Sequence, residues 1–244
     1  MLEFISHKAC VRSIQMKKNR CIHKIKNECD AKTTFIILCA RKSSRRGYKN
    51  IPLTLINEKE ALIERQIKII SDNYQDSEII IVSGFEHDKV VSYLNNLDYP
   101  NVRVAENKDY QSSDVFDGWR FALNIALKQD TYIIHGDRLF KESYIKDVTR
   151  TTHTFVHDVD KNNYHLGLLY ENGYFINMSY GLPNVWSEIF FISKSDFTTA
   201  KNIANEYKQR KIYSIEGFIN ALSKNVKISV LNKSPEDIKI LKEI

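Results

Sequence analysis

From residue 33 onward, short apolar runs alternate with segments whose apolar positions recur every three to four residues. Residues 34–40 (TFIILCA) are apolar and rich in β-branched side chains, the character of a strand buried on both faces. Residues 59–71 place Leu62, Ile63, Gln66, Ile67 and Ile70 on adjoining turns and predict a helix. Residues 78–83 (EIIIVS) predict the next strand, which ends at Gly84. A helix over 87–97 presents Val90, Val91, Tyr93 and Leu94, and 102–105 read as a short strand. Residues 114–128 predict a helix opened by Ser113 or Asp114, with Phe116, Trp119, Leu123 and Leu127 at helical spacing. A fourth strand over 131–135 runs into Gly136 and Asp137.

The second half has a different rhythm. Residues 152–170, 173–180 and 188–193 read as strands joined by turns such as Glu171-Asn172-Gly173. Helices return at 195–210 and 214–223, and 226–231 form a last strand. Ser234-Pro235-Glu236-Asp237 predicts a helix start, with a Ser cap, Pro at the first helical position and two acids at the positive end. No internal repeat interrupts this order.

The alternation predicts an α/β fold with a mostly parallel (mixed) central sheet and helices on both faces. In such sheets ligands bind outside the carboxyl ends of the strands. Two of those ends carry chemistry: the basic loop 41–50 (RKSSRRGYKN) after the first strand, and Asp137 after the fourth.

Composition removes several classes. Of 244 residues, 43% are apolar and 27% charged, which excludes a disordered chain, and 8 Gly with 4 Pro exclude collagen-like or linker-like architecture. The longest apolar run, 35–40, is six residues, against the roughly 20 of a membrane span. Residues 1–30 lack a hydrophobic segment of the signal-peptide kind, so the cytoplasm is the expected compartment. The formal charge of +6 sits mainly in residues 1–32, which hold eight Lys/Arg against Glu3, Glu28 and Asp30. The chain therefore divides into a basic N-terminal extension (1–32) and a nearly neutral domain (33–244). A neutral body removes the main support for nucleic-acid binding by the whole protein and confines that prospect to the arm. Cys10, Cys21, Cys29 and Cys39, with His7 and His23, raise the idea of a zinc knot, but no short Cys-x-x-Cys pair is present. The expected state is reduced, with a solvated arm free to meet phosphate, a partner protein or nothing.

The candidate chemistry follows from the strand ends. A triphosphate needs cations and close backbone approach, and Leu38-Cys39-Ala40-Arg41-Lys42-Ser43-Ser44-Arg45-Arg46-Gly47, with Lys49 beyond, supplies the cations. A carboxylate at a neighbouring strand end, Asp137, suits a hard cation bridging phosphate oxygens. In this order the motifs resemble the nucleotidyltransferases with a GT-A-like, Rossmann-like fold: sugar-phosphate nucleotidyltransferases, phosphocholine cytidylyltransferases and molybdenum-cofactor guanylyltransferases. The loop stands where that family has L-A-G-G-x-S-S-R-M-G followed by Lys. Ile79-Ile80-Ile81-Val82-Ser83-Gly84-Phe85 resembles its I-I-V-V-x-G-Y strand, and Asn107-Lys108-Asp109-Tyr110-Gln111-Ser112-Ser113-Asp114 its N-P-x-Y-x-x-T-N segment. The resemblance runs from about residue 34 to the end and leaves out the arm.

What the resemblance implies can be set out residue by residue. Arg45, Lys49 and Asp137 are the expected catalytic residues, with Asp137 binding Mg²⁺. Ala40, Arg41, Ser43, Ser44, Gly84, Asn107, Ser113 and Asp114 are the expected nucleotide-binding positions. The expected partners are an NTP and a phosphorylated small-molecule acceptor, which exchange a nucleoside monophosphate with release of pyrophosphate. Three departures accompany it. Ala40 and Arg41 replace two loop glycines, Gly118 replaces the Ser of an S-L pair, and Lys233 stands where E-I-D-T-P-E-D-L has its second metal-binding Asp. A Lys cannot bind Mg²⁺, so Asn232, Asp237 or Glu188 would have to supply the missing oxygen. That loss leaves a second reading open, a non-catalytic descendant that binds nucleotide or sugar phosphate and acts through a partner. A glycosyltransferase of related fold is a weaker third, since Asp137-Arg138-Leu139 is no D-x-D motif.

Overall fold

The computed structural model describes residues 33–41, 50–146, 148–158, 165–210 and 214–240. The basic arm lies outside the described residues, and with it His7, Cys10, Cys21, His23 and Cys29. At the centre of the sheet β1 (Thr33–Cys39) runs parallel to β2 (Ser77–Ser83) on one side and β4 (Asp130–His135) on the other, and β3 (Val102–Glu106) pairs parallel beyond β2. The crossovers are α1 (Leu62–Asn73), α2 (His87–Leu94) and α3 (Val115–Ile125).

Side chains alternate across a strand, and β1 uses both directions. Phe35, Ile37 and Cys39 enter one core with Ile63 and Ile67 of α1 and Val90 and Leu94 of α2. Ile36 and Ala40 enter the opposite core with Phe116, Trp119 and Leu123 of α3. The unbroken apolar run 35–40 is thus accounted for by two covered faces.

The second half is mostly antiparallel where the first is parallel, with β6 and β10 its one parallel pair among the described residues. Strand β9 (Asn184–Ile192) pairs antiparallel with β4 and carries the sheet on to β6 (His153–Asp158), β10 (Ser229–Asn232), β8 (Tyr174–Tyr180) and β7 (Leu166–Glu171). Gly167 and Leu168 of β7 pair back with β9, so these five strands close on themselves. Helices α4 (Phe197–Gln209) and α5 (Ile215–Leu222) complete the α3-side core through Phe197, Ala200, Phe218 and Ile219.

Three expectations are corrected by this arrangement. The span 152–170 holds two strands, β6 and β7, and the strand expected over 188–193 begins earlier, at Asn184. The helix expected from Ser234 is a single turn over Pro235–Asp237. Ser234 Oγ does accept from the N–H of Glu236 at 3.3 Å. The chain then turns into β11 (Ile238–Ile240), which pairs antiparallel with β5 (Arg138–Phe140) and takes up backbone groups that a helix would have used. Among the described residues no helix is long and apolar enough to cross a membrane.

Candidate active site

The first wall is built by the ends of β1 and β2. The N–H of Phe85 donates to Ala40 O at 2.9 Å, and Asn50 Nδ2 donates to Phe85 O at 3.0 Å. One residue therefore holds both ends of the basic loop. Gly84 permits this, because a Cβ there would lie 2.8 Å from Ala40 O and 2.6 Å from Tyr110 Cβ. Arg41 opens the loop inside the cleft. Ser43, Ser44, Arg45 and Lys49 lie outside the described residues.

The second wall is the turn between β3 and α3. Asn107 is buried; its N–H donates to Ser83 O at 2.8 Å, its Oδ1 accepts from the N–H of Asp109 at 3.1 Å, and its Nδ2 donates to Ser113 Oγ at 3.2 Å. Asp114 caps α3, accepting from the N–H of Asp117 at 2.8 Å. Burial pushes its carboxyl above the usual range, against the opposing pull of that N–H and of Arg41. The turn brings Asn107, Ser113 and Asp114 together with Arg41 on one cleft.

The third wall is where β4 meets β9. The N–H of Gly136 donates to Leu38 O at 2.9 Å, and a Cβ on Gly136 would lie 2.7 Å from that oxygen and from Cys39 Sγ. Burial, and then the charge of Asp137, push the Cys39 thiol far up, so it is no nucleophile. Asp137 follows immediately. The register Ile134↔Ile189 sets Glu188 beside it. His135 Nδ1 lies 2.5 Å from Glu188 Oε2, and Arg138 Nη2 pairs with Glu188 Oε1. Arg138 Nε stands 3.6 Å from Asp137 Oδ1. Trp119 Nε1 meets His135 Nε2 at 3.1 Å. An indole N–H only donates, so His135 carries its proton on Nδ1 and gives that bond to Glu188. Burial opposes the Glu188 charge, but His135 and Arg138 outweigh it and hold the carboxyl well below the ordinary range. Glu188 has φ of 57°, a left-handed conformation that costs a non-glycine residue about 1–3 kcal/mol.

One ligand atom each from His135, Asp137 and Glu188 falls within 4.8 Å of the others. Both nitrogens of His135 are already engaged, which leaves two carboxylates as donors and the imidazole as the group that orients one of them. Oxygen donors of this kind fit a hard divalent cation. The three walls line a cleft of about 430 Å³, to which Leu166, Tyr180, Trp186 and Ile215 also contribute.

No protein-family profile and no curated protein matches this chain. Solved structures do. The CTP:phosphocholine cytidylyltransferase of Streptococcus pneumoniae superposes with a TM-score of 0.74 at 16% identity, over 86% of this chain and 93% of that one. The nucleoside-diphosphate-sugar pyrophosphorylase of Vibrio cholerae RC9 gives 0.67 at 13% identity, over 84% and 95%. The inositol-1-phosphate CTP transferase of T. maritima gives 0.60 at 12% identity, over 84% and 87%. The fold is that of the nucleotidyltransferases.

On this nucleotidyltransferase fold the cleft lies where the sheet rules put it, at the carboxyl ends of β1 and β4. Of the three oxygens considered as replacements at position 233, Glu188 is the one beside Asp137. Asp237 is turned elsewhere, accepting from Lys141 Nζ at 2.7 Å and Ser143 Oγ at 3.0 Å. Neither Asn232 nor Lys233 lines the cleft, and Lys233 Nζ rests 5.9 Å over the Phe155 ring. His135, Arg138 and Trp186 were not singled out by the sequence. The only local signal for His135 and Arg138 is that they flank Gly136-Asp137, and Trp186 gives none.

Proposed function

We propose that the protein transfers a nucleoside monophosphate from an NTP to a phosphorylated small-molecule acceptor, a sugar 1-phosphate or a phosphorylated alcohol. An oxygen of the acceptor phosphate attacks the α-phosphorus, the bond to the bridging oxygen breaks, and pyrophosphate leaves. The observation that carries this reading is the pair Asp137 and Glu188 sharing one strand-end cleft with Arg41. Two of the fold's neighbours are named for transfer from CTP to phosphocholine and inositol 1-phosphate, which supports an acceptor of this class.

In this reading Arg41, Arg45 and Lys49 neutralise the triphosphate, while Ser43 and Ser44 meet it with hydroxyl and backbone donors. Ala40 and Gly84 bring the loop backbone close to it. Asn107, Ser113 and Asp114 frame the nucleotide. Asp137 and Glu188 would hold Mg²⁺, which would supply positive charge to phosphate oxygens in the cleft. Arg138 and His135 keep Glu188 ionised and aimed. No side-chain nucleophile is needed, because the acceptor phosphate is already an anion, and catalysis is positioning with charge stabilisation. The catalytic unit is 33–244, with 1–32 an appended arm.

The test is pyrophosphate release over a panel of NTPs and phosphorylated acceptors with Mg²⁺. Turnover is expected with one NTP and one acceptor class, and Asp137→Ala should lower it by about 10³-fold. Silence across the panel, or an active Asp137→Ala protein, overturns the reading.

A further inference from the structure

The apolar face of α1 carries one polar side chain. Leu62, Ile63, Ile67 and Ile70 are fully buried on that face, and Gln66 is fully buried with them. Packing alone would favour a Leu or Met here, because an amide taken out of water is costly unless its hydrogen bonds are remade. Gln66 remakes two, both with one turn. Its Nε2 donates to Arg138 O at 2.7 Å and to His135 O at 3.3 Å, while its Oε1 is buried with no hydrogen-bond partner among the described residues.

Those two carbonyls bracket Gly136 and Asp137. One side chain therefore ties both ends of the turn that carries Asp137, and the Gly136 N–H ties its middle to Leu38 O on β1. Gln66 does this from the sheet face that α1 covers, opposite α3, and it does not line the cleft. Holding carbonyls fixes the path of the backbone, and so the point from which the short Asp137 side chain starts. His135 joins this clamp to the second carboxylate: its carbonyl accepts from Gln66 while its imidazole donates to Glu188.

We propose that Gln66 is a positioning residue for the metal centre: its amide clamps the His135–Arg138 turn so that the Asp137 carboxylate already stands beside Glu188 when a divalent cation arrives. The inference rests on the nucleotidyl-transfer reading above, in which these two carboxylates hold the cation. Gln66 itself touches neither the ion nor the substrates. Its buried amide is kept on an apolar face because a hydrocarbon side chain there could not hold the turn.

The experiment compares wild type, Gln66→Met, Gln66→Asn, Ile67→Val and Asp137→Ala. Mn²⁺ is the probe, with the free ion read by electron paramagnetic resonance in the absence of nucleotide. The melting temperature of each protein is measured in metal-free buffer, and the Mg²⁺ concentration for half-maximal pyrophosphate release is the second readout. Gln66→Met nearly keeps the volume and removes the donor, whereas Gln66→Asn keeps an amide on a stem too short to span both carbonyls. Both should raise the Mn²⁺ Kd and the Mg²⁺ half-saturation about tenfold, with kcat at saturating Mg²⁺ little changed. Ile67→Val loosens the same helix face without removing a bond to the turn, so it should lower the melting temperature and leave both metal readouts unchanged. Wild-type Mn²⁺ affinity in either Gln66 variant overturns the proposal. An equal loss in Ile67→Val also overturns it, by making the effect one of general stability. If wild type binds no Mn²⁺, or Asp137→Ala binds it as wild type does, the underlying reading falls first, and that result is visible before any Gln66 variant is compared.

Discussion

The parallel and antiparallel halves of the sheet supply the cleft by different routes. In the parallel half, β1, β2, β3 and β4 all point the same way, so whatever follows a strand end arrives at one edge. Arg41, Asn107 and Asp137 reach the cleft like this, each within two residues of a strand's last residue. In the antiparallel half, Glu188 arrives from inside β9, at the junction with β4 and at a strained φ. The β6–β9 ladder slips register between Thr154 and Val156, opposite this stretch, as β-bulges do where a strand re-aims a side chain. Site residues are delivered by chain direction in one half and by register in the other.

The largest effect that would test this comparison is at Glu188. If it carries the second carboxylate, Glu188→Gln should lower pyrophosphate release by about 100-fold. Lys233→Met should change it by less than about threefold, since Lys233 stands over Phe155, away from the cleft. The opposite ranking would move the second charged group of the site to Lys233 and dissolve the contrast between the halves.

A second test concerns acid stability and sharpens the contrast. His153 of β6 is fully buried, stacked on Phe191 with ring centroids 4.7 Å apart, and its Nδ1 lies 2.7 Å from Thr151 O. Burial pushes it down from 6.5 to about 4, helped by the charge of Lys233 and opposed by the Thr151 carbonyl. Above pH 6.5 both folded and unfolded chains hold it neutral. Between 6.5 and 4 the unfolded chain binds a proton that the folded chain refuses, so stability falls as pH falls, by about 3 kcal/mol in all. His153→Phe keeps the stacking and should flatten the pH dependence of denaturant midpoints in that window. An unchanged slope would mean that other groups set the acid limit.

The smallest expected effect is at the N-terminus. Residues 1–32 hold most of the net charge without a periodic apolar face, so deleting 1–31 should leave the melting temperature within about 2 °C. A larger drop would show that the arm packs on one of the two halves.

How much of the cleft could be read in advance follows the same division. Asp137 and Gly84 were readable because a strand's length and its terminating Gly are local, and a parallel strand's end is already a location. Asn107, Ser113 and Asp114 were readable as a turn and cap, which are contacts between near neighbours. Trp119 was readable as a core residue, but its bond to His135 was not, since α3 and β4 meet only after the crossover has folded back on the sheet.

The one-turn end at Ser234 shows the other side of this. Its cap chemistry is real and local, yet β5 is nearly a hundred residues away in the chain, and pairing with it outweighed the helix that the cap would have begun. Alternation of apolar runs, turn residues and caps by itself determined the layered α/β architecture and the edge where chemistry collects, because those signals act within one element. Only the tertiary structure decided that Glu188 stands beside Asp137 and that Lys233 turns away. Each of these depends on register or on the approach of distant elements, and a side chain's partners across a sheet are set by pairing rather than by its neighbours in the chain.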